Sequence, residues 1–263
     1  MIIGEILLGA ALGFIAGLTG AGGAALALPG LIFLLGASAV QAVATTFPFT
    51  AIMKVFGSYQ HIRQGSVHWG VTADLLIGSL PGTIAGVFIV SFLVNRLGEE
   101  FNDWLKVIIG ALLVASVFLS AYARRRGAVS ADDPPQRGRN IRGILFAGLC
   151  GLAIGATSVG GGSLLIVVML MLYRIRPAEI VGTSIAVSVA LMLVGTAGFW
   201  QEGSLDMRLA LTLSAGGVPG VILGSMMTMR VSPRLLSQVV MGAITLAGVS
   251  LVVQGGLSLA GAL

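Results

Sequence analysis

Two short runs of glycine and hydroxyl residues carry the chemistry that this sequence allows. One reads Thr19, Gly20, Ala21, Gly22, Gly23, Ala24; the other reads Thr157, Ser158, Val159, Gly160, Gly161, Gly162, Ser163. Glycine lets a chain turn sharply and leaves its amides uncovered. If a helix begins just after each run, at Ala24 and at Ser163, its free N–H groups and positive dipole end point back at the glycines. That combination binds an anion without a fixed charge, and Thr19, Thr157, Ser158 and Ser163 would add hydroxyl donors. The bland alternative is close packing of helices, for which small residues are standard in membranes. A second set, Thr45, Thr46 and Thr50, is matched by Thr183, Ser184 and Ser188, each set near one helix face. These side chains either line the same cavity or bond to carbonyls of their own helix.

Two ionisable residues interrupt apolar surroundings. Lys54 lies in FPFTAIMKVFGSYQ. It either faces an anion or a coupling proton as an intramembrane charge, or snorkels to the interface marked by Arg63, which the short distance favours. Asp74, five residues after Trp69, is expected near interface level, with proton carriage as the alternative. His61 and His68 lack a third ligand, so no metal site is expected. No nucleophile has an oriented base and no HExxH is present. Neither an enzyme nor a bound cofactor is expected.

The elements that must hold these residues follow from composition. Of 263 residues, 56% are hydrophobic and 10% charged, whereas a soluble domain has about 25% charged residues. Such a chain cannot clothe a globule in polar groups, so its expected partner is the lipid bilayer. The fold class is all-α, a polytopic helical membrane protein. The net charge of +5 comes with no basic stripe interleaved with aromatics, which argues against nucleic acid. Cys150 is the single cysteine, so no internal disulfide can form. The start, MIIGEILLGA, lacks the basic n-region of a cleavable signal. Residues 1–123 form a first transmembrane repeat, 124–142 a basic cytoplasmic linker and 143–263 a second repeat. Apolar runs cover about 4–35, 39–58, 70–94, 104–123, 143–173, 178–200, 209–229 and 235–253, against the ~20 residues of one crossing. The first and fifth are too long for one crossing and too short for two.

The two halves align without a gap at a shift of 138 residues, and the matches are glycine, proline and threonine rather than generic apolar residues. Gly13, Gly17, Thr19, Gly22 and Gly23 fall on Gly151, Gly155, Thr157, Gly160 and Gly161. Gly78, Pro81, Gly82 and Gly86 fall on Gly216, Pro219, Gly220 and Gly224. Such pairs suggest places where a helix breaks or bends, with Pro81–Gly82 and Pro219–Gly220 as twin hinges or static kinks.

GLTGAGGAALALPGLIFL followed by AVQAVATTF, and GATSVGGGSLLIVVML followed by PAEIVGTSIAVS, resemble the two signature halves of the TauE/SafE sulfite exporter family, also called the toluene-sulfonate uptake permeases. Ala24 stands where a third glycine is common. The resemblance covers nearly the whole chain. It implies an inner-membrane secondary transporter of small anions of the sulfite or sulfonate class working by alternating access, with protons as a candidate coupling ion. An anion channel of the same architecture is the alternative.

Lysine and arginine then select a topology. If runs one and five enter and return on one side, Arg63, the linker arginines, Arg174, Arg176, Arg230 and Arg234 fall inside. Only Arg96, Lys106 and Arg208 fall outside. The expected plan is three crossings per half, halves of opposite orientation, both termini outside and the glycine tips meeting near the midplane.

Overall fold

The computed structural model describes residues 2–19, 23–125, 139–173, 175–227 and 233–261. Ten helices make up the fold among these residues: α1 Ile2–Thr19, α2 Gly23–Leu35, α3 Ala39–Arg63, α4 Trp69–Leu97, α5 Glu100–Arg125, α6 Ile141–Thr157, α7 Ser163–Leu172, α8 Pro177–Gln201, α9 Met207–Met227 and α10 Pro233–Leu259. The linker residues 126–138, Arg174 and Arg230 lie outside the described residues.

Both overlong runs are pairs of helices folded back on themselves. Gly30 of α2 sits beside the side chains of Leu8 and Leu12 of α1, so α2 returns along α1. Likewise Gly143, at the start of α6, packs under Tyr173, just past the end of α7, and the Asn140 side-chain amide donates to the Leu172 carbonyl at 2.7 Å. Residues Thr157–Ser163 therefore form the closed end of the second hairpin. The Ala39–Val55 part of α3 is apolar, and α4, α5, α8, α9 and α10 are each long and apolar enough to cross a bilayer. Large apolar side chains such as Phe88, Phe118 and Leu246 point outward from these helices, the arrangement that lipid favours and water does not.

Most of the paired glycines prove to be seam residues. A Cβ on Gly9, Gly13 or Gly17 of α1 would overlap the backbone of Leu213, Gly217 or Val221 of α9. Both series rise together, so α1 and α9 run parallel, backbone against backbone. The same holds for α4 and α6, where Gly78, Gly82 and Gly86 abut Ile144, Gly148 and Leu152. Without a hydrophobic drive between helices in lipid, such close approach supplies the packing energy. α4 and α9 run unbroken through Pro81 and Pro219. There Gly82 and Gly220 are helix-packing contacts against Gly148 and Ala10. Of the break or bend expected at these glycines, no break occurs: the helices stay whole and the missing Cβ makes room for a neighbour.

At the centre, α3 crosses α8 in antiparallel fashion. Phe47 lies where a Cβ on Gly195 would go, its ring centroid 5.5 Å from that of Phe199, and Gly182 touches Ser66. α5 and α10 are antiparallel too, with Gly110 against Gly248 and Asp103 against Gly255. Phe47, Phe199, Leu191 and Met192 are fully buried at this crossing.

Candidate functional site

The closed end of the second hairpin is built by a helix that stops early. Thr157 donates to the Ala153 carbonyl at 2.7 Å and accepts the Val159 amide at 3.3 Å, which ends α6. Ser158 then turns left-handed at φ 57, and Gly160 follows at φ 84, a conformation that glycine adopts without a Cβ penalty. The chain enters α7 at Ser163 with Gly162 at the N-cap and no side-chain cap. The first amides of a helix have no acceptor within it. Here the Leu164 amide is taken by the Gly160 carbonyl and the Ile166 amide by the Gly162 carbonyl, each at 3.0 Å, and no side chain caps the helix.

Three side chains converge on this tip. A Cβ placed on Gly161 would lie 2.7 Å from Met192 Cε, 3.7 Å from Lys54 Nζ and 3.7 Å from Ser188 Oγ. Lys54 is half-buried, and its ammonium faces glycine rather than reaching toward Arg63. Snorkelling, favoured from the sequence, is therefore not what this side chain does. The physical reason is the antiparallel α3–α8 crossing, which brings Ser188 and Met192 level with Lys54 and leaves room only because residue 161 has no side chain. Along the helices, Lys54 is about 13 Å from Arg63 and Ser188 about 16 Å from Pro177 at 1.5 Å per residue. Each of these lengths is about half of a hydrocarbon core about 30 Å thick.

The hydroxyls divide into used and unused. Thr46, Ser184 and Ser188 donate to carbonyls of their own helices at 2.7, 2.8 and 2.6 Å. Thr183 accepts the His68 backbone amide at 2.9 Å and ties α8 to the α3–α4 turn. By contrast, the hydroxyl oxygens of Thr45, Thr50 and Ser158 are buried with no hydrogen-bond partner among the described residues. Orphaned buried hydroxyls are uncommon and call for an explanation. Thr50 lies one helical turn before Lys54 on the same face of α3. Of the first tip, Gly20 and Gly22 lie outside the described residues; Thr19 ends α1, and Gly23 and Ala24 begin α2. Thr46 and Ser184 are bonded to their own helices, whereas Ser188 and Met192 touch the tip and Thr50 lies on the Lys54 face of α3. The repeat carried the signal for them, since Thr50 matches Ser188 and Lys54 matches Met192.

The open end of the same hairpin is held by Asp74, which is 4% exposed. Its carboxylate accepts the Asn140 amide at 3.0 Å and the Tyr173 hydroxyl at 3.4 Å, while Asn140 Oδ1 caps the Gly143 amide. Gly143 has no side chain, so Tyr173 can cross it to reach Asp74. Asp74 is thus a fastening at the hairpin root, in a cleft shared with His68 and Arg139. At the corresponding place between α1 and α9, Thr212 donates to Glu5 at 2.9 Å, with Arg208 3.8 Å away. His61 and His68 serve the α3–α4 turn: His61 Nδ1 is 2.9 Å from Ser66 Oγ, and His68 Nδ1 accepts the Val71 amide. Asp74→Ala should leave the Asn140 amide and the Tyr173 hydroxyl unpaired, at about 1–3 kcal/mol for each. The detergent-solubilised variant should unfold at a temperature several degrees lower. Asp74→Asn, which keeps an acceptor oxygen, should recover part of the loss.

Comparison with known proteins agrees with this architecture. The sequence model of the family described as Sulfite exporter TauE/SafE matches residues 6–251. A probable membrane transporter protein of Bacillus subtilis, YjnA, is 33% identical over 96% of this chain and 100% of its own length. A probable membrane transporter protein of Xylella fastidiosa is 26% identical over 88% of this chain and 87% of its own. Another from Bacillus subtilis, YunE, is 24% identical over 95% and 97%. No solved structure matches the chain.

Proposed function

Because this chain belongs to the TauE/SafE sulfite exporter family and is a multi-pass membrane transporter of the plasma membrane, we propose that it carries a small oxyanion or organosulfur anion by alternating access. The sulfite and sulfonate class is the chemistry in view. The observation that carries this reading is the Lys54 ammonium beside Gly161, just ahead of the start of α7, in no ion pair among the described residues. An anionic SO3 group offers several acceptor oxygens, and this region offers an ammonium together with the Thr50 and Ser158 hydroxyls, which have no hydrogen-bond partner among the described residues. Charge dominates the energetics. At 4 Å and an effective dielectric near 20, an ion pair contributes about 4 kcal/mol, whereas a helix terminus contributes up to ~2 kcal/mol.

Movement needs two arrangements of the same parts. We place the site between two inverted halves. α5 and α10, counterparts in the repeat, run antiparallel, and so do α3 and α8. A two-fold axis across the helices relates such pairs, and rocking the unit built on one inter-half seam against the unit built on the other exposes a midplane site to either side in turn. The parallel α1–α9 and α4–α6 seams each join one half to the other and are the rigid units of that motion. A reporter fused to the C-terminus should signal from outside the cell; a clean cytoplasmic signal would overturn the inverted plan.

The test is uptake into proteoliposomes. Sulfite, sulfate, thiosulfate and several sulfonates are offered with and without a proton gradient. Accumulation of at least one above empty liposomes is expected, and no accumulation of any sinks the proposal. Stimulation by the gradient assigns protons as the coupling ion. A voltage-driven conductance far above transporter turnover would instead assign a channel.

A further inference from the structure

The site is asymmetric in charge although the halves that build it match in sequence. Lys54 of α3 and Met192 of α8 are counterparts at the repeat shift, and both side chains end beside Gly161. Exchange of the two half-sites would be nearly silent in shape, since methionine and lysine share an unbranched stem, but not in charge. Of the described basic side chains, Arg63, Arg96, Arg139, Arg142, Arg176 and Arg208 belong to helix ends or turns, and Lys106 is paired with Asp103 at 2.8 Å near the start of α5. Lys54 takes part in no ion pair among the described residues. The other polar groups on these elements are neutral: the Ser188 hydroxyl beside Gly161, and the buried hydroxyls of Thr50, one turn before Lys54, and Ser158, which have no hydrogen-bond partner among the described residues.

We infer that this single ammonium makes the site selective for monovalent oxyanions: one Lys54 charge cancels one anionic charge, and a divalent anion leaves a net charge buried. The inference rests on the anion-transport reading above and narrows its substrate class to sulfonate-like monoanions. Uncompensated charge is costly inside a bilayer, and leaving one partner of a buried pair unmatched is costly in any interior. Neutral donors ease the second charge of a dianion without cancelling it. Sulfate and methanesulfonate differ by little else: both are tetrahedral at sulfur, three oxygens are common to them, and the fourth position is an oxygen in one and a methyl in the other. Met192 Cε, beside Gly161, suits the methyl.

Binding of methanesulfonate and sulfate to the purified full-length protein, read by thermal shift and by calorimetry at constant pH and ionic strength, tests this directly. Wild-type protein should prefer methanesulfonate by at least about tenfold, the ratio set by about 1.4 kcal/mol. Lys54→Met should weaken methanesulfonate by a similar factor, and Lys54→Arg should retain more of it. Met192→Lys, with two ammonium groups at Gly161, should move the preference toward sulfate. The double exchange Lys54→Met with Met192→Lys should return it to methanesulfonate, which a merely structural role for either residue cannot produce. Folding of each variant is checked by gel filtration, and a variant that fails to fold leaves the wild-type ratio as the deciding measurement. Wild-type protein that binds both anions equally, or sulfate more tightly, overturns the inference while leaving anion transport standing. Wild-type protein that binds neither overturns both.

Discussion

Gly161→Leu is expected to abolish transport while the protein still inserts and folds. The isobutyl group would occupy the space around which Lys54 Nζ, Ser188 Oγ and Met192 Cε are arranged. It would also stand between the substrate and the Lys54 ammonium, so an anion would lose its charge partner. A fall of at least about 100-fold in uptake corresponds to about 2.7 kcal/mol, less than one lost ion pair and a few lost charged hydrogen bonds would supply. Folding should survive because the neighbours are ends of flexible side chains rather than backbone. Gly161→Ala makes the distinction sharper. Its methyl meets Met192 Cε at 2.7 Å, the far end of an adaptable side chain, so uptake should fall by about tenfold or less. Normal uptake by a well-folded Gly161→Leu protein would remove the tip from the transport path.

Gly216→Val should fail for the opposite reason: the protein should not reach a folded state, whatever the substrate. A Cβ at Gly216 runs into the carbonyl of Ile6 and stands 2.9 Å from the Ala10 amide, both backbone atoms of α1. No rotamer relieves that overlap, so the helices must part along the whole seam. Overpacking of a core costs about 1–3 kcal/mol when side chains can shift; here they cannot, and the cost should exceed that range. Gly78→Val, at the counterpart position on the α4–α6 seam against Ile144, should behave the same way. Gly242→Val is the control, since a Cβ there meets nothing within 4 Å. Fluorescence-detected gel filtration of the three variants should show a single folded peak for Gly242→Val and aggregate for the other two. Folded, transport-competent Gly216→Val protein would contradict the seam.

These two kinds of glycine look alike in one dimension. Gly78 and Gly161 both belong to matched pairs 138 residues apart, and both invite the reading of a broken helix. Only the chain's path separates them. At Gly160 the backbone adopts φ 84 and the helix ends; at Gly78 and Gly82 it stays helical and a second backbone fills the missing Cβ. Lys54 shows the same limit. Its distance from Arg63 along the sequence made the interface reachable, but the direction of a side chain depends on what crosses its helix, and that is α8.

What the sequence determined by itself was the environment and the plan. Scarcity of charge requires lipid around the chain, run lengths set apart the two overlong runs that fold as hairpins, and the glycine, proline and threonine matches align the two halves of the sequence. These properties are local or periodic, so they survive projection onto a line. The tertiary structure alone decided which hydroxyls are free, because Thr46 and Ser184 find carbonyls one turn away while Thr50 and Ser158 do not. It alone placed one cation against a glycine tip from the other half of the chain. Such encounters depend on helix crossing and depth, which arise from packing between residues more than a hundred positions apart and leave no periodic trace in the sequence.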